Sequence, residues 1–351
     1  MYRIGLVLGV FFAVACGKSK VTTSIDETVL APPVVEEIAP AAGPATPPLQ
    51  LQYRAESEKP STARVFLVAG ARDGAAFAQD IIEQKRLWEK SGVSPEDIHC
   101  YYAKPPEGVL KRDEASYRDI AQELSNCFPA NSGLVQKHLM ESSRSPSVNS
   151  LYFYVSSQGG QPPSLILEHA RLLPQRPALE KLIREIPEMD QFLIRLDAFA
   201  DGSTPSFMQF IRALYTNRSQ GAQLLFSPRY LASALSVFSA AVTKVVVING
   251  SYSGGFIHAS DQRFDKDSLK NVPGVTVLTS ANWDEANPSL ASSDRQTLFG
   301  RGFNRILSEE LAKRIPLYWR ALASEVRVEY EDAQRARKQK HPAELQFYTS
   351  P

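Results

Sequence analysis

Two glycine-rich turns carry the side chains of this chain that are best placed to do chemistry. Val245-Val-Val-Ile-Asn-Gly-Ser-Tyr-Ser-Gly-Gly-Phe256 reads as a buried strand running into a turn with Ser251 at its tip. Ser150-Leu-Tyr-Phe-Tyr-Val-Ser156 is a second continuous β-prone run, and it ends in Gln158-Gly-Gly160. A hydroxyl at a strand end acts as a nucleophile only when a base takes its proton. Gln158 cannot be that base, because a carboxamide has no useful pKa near neutrality. Five histidines are the alternatives. His99 falls on a strand, His138 on a helix, His169 at the start of a less regular stretch, and His341 near the C-terminus. His258 follows Ser251 closely and reaches it if the turn continues into a short helix; an exposed loop position is the competing reading. The G-x-S-x-G elbow is missing, since Asn249 precedes Ser251 by two and Ser251 precedes Ser253 by two. Gly250–Gly255 lacks a P-loop lysine, and no Cys, His or carboxylate spacing suits a metal. The sequence therefore implies no cofactor.

The elements that must position these turns alternate in type. Strands are expected at 64–70, 97–102, 150–156, 244–249 and 275–279. Helices are expected at 75–91, 115–125, 134–142 and 228–240, with two or more from 305 onward. Phe77, Ile81, Ile82 and Leu87 recur at helical spacing, and Gly92 is placed to stop their helix. Strands that are apolar throughout and alternate with helices predict an α/β fold: a mostly parallel central sheet flanked by helices in a three-layer sandwich. Ligands of such sheets bind at the carboxyl ends of the strands, where both glycine-rich turns fall.

The N-terminal segment has a different character. Arg3 precedes an apolar run that ends Ala13-Val-Ala-Cys16. The run is too short to span a bilayer, and its layout is that of a secretory signal. Residues 17–60 have no apolar period, and seven prolines fall between Ala31 and Pro60. Such a Pro/Ala-rich segment cannot offset its ordering entropy by burial and is read as a tether. Residues 61–351 remain for the folded α/β domain. The apolar stretch 230–248 is interrupted by Ser233, Ser236, Ser239, Thr243 and Lys244, which argues against a second membrane segment. Lys and Arg total 39 against 38 Asp and Glu, interspersed, so no electrostatic case for nucleic acid exists. Cys100 and Cys127 remain once Cys16 is set aside; a disulfide and two buried thiols are equally consistent with their positions.

Several of these segments, in order, resemble the caspase/legumain superfamily, especially bacterial caspase-like proteins and the C13 peptidases. Phe66-Leu-Val-Ala-Gly-Ala71 and the helix into Gly92-Val-Ser-Pro-Glu-Asp-Ile98 are similar to the legumain-type first strand, helix and second strand. Leu151–Gly159 resembles the strand that ends in Ser/Thr-x-His-Gly. Lys244–Phe256 resembles the strand leading to Asp/Glu-x-Cys-x-Ser-Gly. Val275–Ala281 is similar to the next strand and its pocket loop, and Lys340–Leu345 to a common C-terminal ending. The resemblance puts Gln158 at the imidazole position, Ser251 at the thiol position, and Asn249 where an acidic residue is usual. Gly159 would retain an oxyanion-hole N–H, and Ser253-Gly254 is kept. Arg72, Asn249, Ser280, Asp284 and Glu285 would border the peptide-binding pocket, although the charged ones also read as solvated loop residues. An insertion falls near 170–222.

Taken together, the resemblance implies a caspase/legumain-like pseudopeptidase that has lost its dyad and binds a peptide or protein. A hydrolase using Ser251 is the alternative. Ala13-Val14-Ala15-Cys16 resembles the lipobox of bacterial lipoproteins, which would cleave residues 1–15 and lipidate Cys16. The expected location is then the bacterial cell envelope, anchored to a membrane by lipid, and Gly17 favours the outer membrane.

Overall fold

The computed structural model describes residues 62–70, 75–105, 107, 110, 114–169, 176–185, 190–196, 225–258, 266–285, 295–339 and 341–350. Contacts divide the chain into 1–43 and 44–351, and every described residue belongs to the second unit. The leader, Cys16, the tether and Arg72 lie outside the described residues.

Among the described residues, ten strands follow one another: β1 (Ala63–Ala69), β2 (Ile98–Tyr102), β3 (Phe128–Pro129), β4 (Ser150–Ser156), β5 (Gly159–Gly160), β6 (Leu193–Arg195), β7 (Leu225–Phe226), β8 (Thr243–Asn249), β9 (Val275–Thr279) and β10 (Gln346–Thr349). The helices are α1 (Ala75–Lys90), α2 (Glu114–Glu123), α3 (Ser132–Ser143), α4 (Pro163–His169), α5 (Arg176–Glu185), α6 (Pro228–Leu235), α7 (Leu298–Ala312) and α8 (Trp319–Ala336). Seven strands form the main sheet in the order β10-β9-β8-β4-β1-β2-β3. All its pairings are parallel except β10 on β9. A smaller antiparallel sheet, β5-β6-β7, stands apart from it.

The side-chain alternation of the central strands shows why they are apolar throughout. Val65, Leu67, Tyr152, Tyr154, Val245 and Val247 pack on one face with Ile81 and Trp88 of α1 and Phe299 and Phe303 of α7. Phe66, Val68, Leu151, Phe153, Val246 and Ile248 pack on the other face with Val135 and Leu139 of α3 and Leu231 and Leu235 of α6. Both faces are buried, so neither register of the alternation can be polar. The result is the mixed α/β architecture anticipated from the sequence, a mostly parallel sheet between helical layers.

Local signals account for the helix ends. Gly92 has φ 90°, and Val93 N donates to Trp88 O at 3.1 Å to close α1. Ser227 caps α6 by accepting from Tyr230 N, with Pro228 in the first turn. Thr297 caps α7 through Gly300 N at 2.8 Å. That cap starts α7 at Leu298, ahead of the expected 305. α6 ends at Leu235, short of the expected 240, because the chain after it winds into turns. Those turns aim the carbonyls of Ser239 and Val242 at the Lys244 ammonium (2.9 and 3.0 Å), which Pro273 O also accepts from at 2.9 Å. Lys244 has no solvent exposure. Lys244→Met should therefore cost about 2–3 kcal/mol, as expected when charge-assisted bonds to buried carbonyls are lost. The check is a shift in the urea midpoint at unchanged slope.

Two features were not legible in advance. β10 adds an antiparallel edge strand, and β3 adds a two-residue edge at the other side. Cys100 and Cys127 form a disulfide, with Cα atoms 4.8 Å apart, which joins β2 to the residue before β3. The open choice between a bond and two thiols is settled in favour of the bond.

Candidate functional site

β4 and β8 are parallel neighbours with Ser156 opposite Asn249, so the turns after them leave the sheet side by side. Gln158 and Ser251, distant in sequence, end adjacent strands. The two turns touch through backbone. A methyl built on Gly250 would lie 3.6 Å from Gly159 N and 2.7 Å from Ser157 O, and one built on Gly159 would collide with the Ser251 carbonyl. Glycine at these positions is a condition of that approach. Ser157 N donates to Asn249 O at 3.0 Å, and Gly250 N donates to Ser280 Oγ at 3.0 Å. Tyr252, immediately after Ser251, holds φ 59° and donates its N–H to Glu285 O at 2.8 Å. A left-handed tyrosine of this kind costs energy that the surrounding contacts must offset.

The small sheet braces the same turns from the side of the insertion. β6 pairs with Gly159 and Gly160, Phe192 packs against Gly255, and Ile194 packs against Gly250. Arg195 donates its backbone N–H to Gln158 O at 2.9 Å and Nη1 to Gln158 Oε1 at 3.3 Å. The Gln158 amide is thus held by a guanidinium, which has no acceptor to offer. Of the expected insertion, α5 and β6 are described; 197–222 lies outside the described residues.

Beneath the turns lies a buried polar cluster that the sequence did not reveal. Asp80 of α1 has no exposure. Its Oδ2 accepts from Ser156 Oγ at 2.8 Å and Thr297 Oγ1 at 2.7 Å, and its Oδ1 accepts from Thr297 N at 3.1 Å. Asn249 Nδ2 lies 3.0 Å from Asp80 Oδ2, 3.0 Å from Ser156 Oγ and 2.7 Å from Thr297 Oγ1. Burial raises the Asp80 pKa to about 7, while its bonds to Thr297, Ser156 and Asn249 pull it back. The available signal was its position. Phe77, Ile81, Gln84 and Trp88 form the buried stripe of α1, and Asp80 interrupts that stripe with a charge.

The other expected site residues are placed as follows. Asn249 and Ser280 have no solvent exposure; both face inward and hold the turn from behind, where neither can border an open pocket. Asp284 is exposed, and Glu285 is half-buried. Glu285 Oε2 accepts from Asn282 N at 3.2 Å and Glu344 N at 2.7 Å, so it joins the loop after β9 to the C-terminal segment. Ser253 is buried and bonds Ala281 N at 3.2 Å.

His99 and His138 lie side by side, with ring centroids 5.3 Å apart. His99 stacks on Phe66 at 4.6 Å between centroids, near the amino end of β2, and burial lowers its pKa to about 4. His138 Nδ1 bonds Tyr101 Oη at 2.7 Å. His258 is exposed with Lys270 Nζ 3.0 Å from its Nδ1, and His341 is exposed. His169 ends α4, and its side chain lies outside the description. Among the described residues, no group of three His, Cys, Asp or Glu could hold a metal, and no helix is long and apolar enough to cross a membrane.

No protein-family model and no curated protein matches this sequence. Among solved structures, the chain is similar to protein GSU0716 of Geobacter sulfurreducens, with 10% identity and a TM-score of 0.43, over 82% of this chain and 93% of that one. It is also similar to caspase-1 of Spodoptera frugiperda, with 9% identity and a TM-score of 0.44, over 85% and 91% of the two chains.

Proposed function

We propose that this chain is a catalytically inactive caspase/legumain-like domain that binds a peptide or protein, and that lipid on Cys16 holds it at the bacterial cell envelope. The observation that carries the reading is the state of Gln158. The group facing the Ser251 turn from the adjacent strand end is a carboxamide whose oxygen accepts from Arg195, so it offers neither a basic lone pair nor a removable proton. Gln158 therefore cannot give a serine the general-base activation that such chemistry requires. His258 is exposed, with its Nδ1 3.0 Å from Lys270 Nζ. The position of both turns at the carboxyl ends of β4 and β8, where ligands of parallel sheets bind, supports a binding role. The Cys100–Cys127 bond supports export, because structural disulfides persist in oxidising compartments.

The test is direct. A serine-directed fluorophosphonate is expected to leave the purified chain unlabelled from about pH 6 to about pH 9. Fluorogenic peptides should be cleaved no faster by it than by its Ser251→Ala form. Labelling that Ser251→Ala abolishes would overturn this reading in favour of a Ser251 hydrolase.

A further inference from the structure

We propose that Asp80 is a proton-sensitive latch beneath the two turns: ionised, it ties the ends of β4 and β8 together, and protonation rearranges the Ser156–Asn249 pair that joins them. The geometry is one of donors converging on a carboxylate. Thr297 N holds Oδ1, and it is a backbone donor that cannot turn away. Oδ2 receives the hydroxyls of Ser156 and Thr297 and the amide nitrogen of Asn249. Thr297 Oγ1 already accepts from Gly300 N at 2.8 Å and Asn249 Nδ2 at 2.7 Å. Ser156 Oγ accepts from Asn249 Nδ2 at 3.0 Å.

Protonation converts one of these oxygens from acceptor to donor. The proton that rearranges the cluster is one on Oδ2, where three donors already converge and at least one must give way. Of the two hydroxyls there, Ser156 has the lone pair to receive it. The Ser156 hydroxyl must then turn its own hydrogen away from Asp80, and since Asn249 Nδ2 is a donor and cannot receive it, the Asn249 amide has to reorient. Ser156 and Asn249 are register partners, each two residues before Gln158 and Ser251. The change is thus made at the root of both turns.

The surroundings leave Asp80 to respond by itself. On its own helix it is near Gln84, and α7 presents Thr297, Gly300 and Asn304. β4 presents Ser156 and the Tyr154 phenol, and β8 presents Asn249. Among the described residues, the titratable group facing it is Tyr154, whose burial keeps it protonated throughout the neutral range. The amino end of α7 favours the ion, while complete burial opposes it. The balance places the carboxyl near neutrality, at about 7. Because this lies above the unfolded value, the folded chain binds the extra proton between about pH 4 and about pH 7. Stability linked to Asp80 is greatest below that window and falls as pH rises through it.

The latch concerns the turns themselves, so its test needs no ligand. In the isotope-labelled full chain, the Asn249 side-chain amide and the Gly250 N–H should titrate together by NMR with a midpoint at about 7. In Asp80→Asn the same resonances should stay fixed from about pH 5 to about pH 9. Flat resonances in the natural chain, or unchanged titration in Asp80→Asn, would overturn the proposal. Should Asp80→Asn fail to fold, the Asp80 carboxyl carbon of the natural chain decides the matter: a midpoint below about 5, in the ordinary carboxylate range, refutes the latch.

Discussion

Asn249→Asp should destabilise the domain by roughly 3–5 kcal/mol at about pH 8, the range for an uncompensated buried charge. The substitution replaces an amide nitrogen with an oxygen 3.0 Å from Asp80 Oδ2, 3.0 Å from Ser156 Oγ and 2.7 Å from Thr297 Oγ1, in a site without solvent. The amide supplies two protons to this cluster, whereas an ionised carboxylate supplies none. Two carboxylates this close in a dry site cannot both ionise and must share a proton. The pair's second ionisation is pushed upward, so the folded variant holds protons that its unfolded form has released. Its deficit should therefore grow as pH rises and shrink on acidification toward about pH 5. Urea unfolding of both forms at the two pH values is the measurement. Equal stability at both would mean that the cluster does not depend on the Asn249 amide.

Trp88→Ala should cost about 4 kcal/mol, within the usual range for removing a buried aromatic ring from a core. Trp88 has no exposure, and its ring lies 4.6 Å from that of Tyr152 between centroids. Its Nε1 donates to Gln84 Oε1 at 3.2 Å, the same oxygen that accepts from Tyr152 Oη at 2.8 Å. Gln84 in turn donates to Asn304 Oδ1 at 2.6 Å, which joins α1 to α7. The tryptophan therefore anchors the helix that carries Asp80 against both β4 and α7. Trp88→Phe keeps most of the packing and loses the indole bond, so it should fall about 1–2 kcal/mol short of the natural chain. Urea midpoints give both values. A loss for Trp88→Ala no larger than for Trp88→Phe would show that the ring, as opposed to its N–H, does not carry the anchoring.

The five expected strands were legible because each is a short apolar run, and all but 97–102 are closed by Gly, Asn or Ser, which is local information. Their parallel arrangement followed from the helices between them. The helix limits were less legible. Thr297 begins α7, but a threonine in an undistinguished stretch looks like a cap only once the helix is seen. Lys244 ends α6 early through carbonyls that reach it by turns. β3 and β10 are too short for a periodic pattern, and they exist because an edge was available for pairing.

For the site, sequence by itself determined which residue types end β4 and β8: Gln158 and Ser251, with Gly159 and Gly250 beside them. It also determined that neither Gln158 nor its neighbours supply a base. Only the tertiary structure decided what holds them. Arg195 comes from the small sheet, and Asp80 and Thr297, 217 positions apart, meet on opposite sides of one hydrogen bond. The physical reason is range. Strand and turn propensities act between neighbours along the chain, whereas the polarity of a buried cluster is satisfied across space, by whichever donors the packed helices bring within reach.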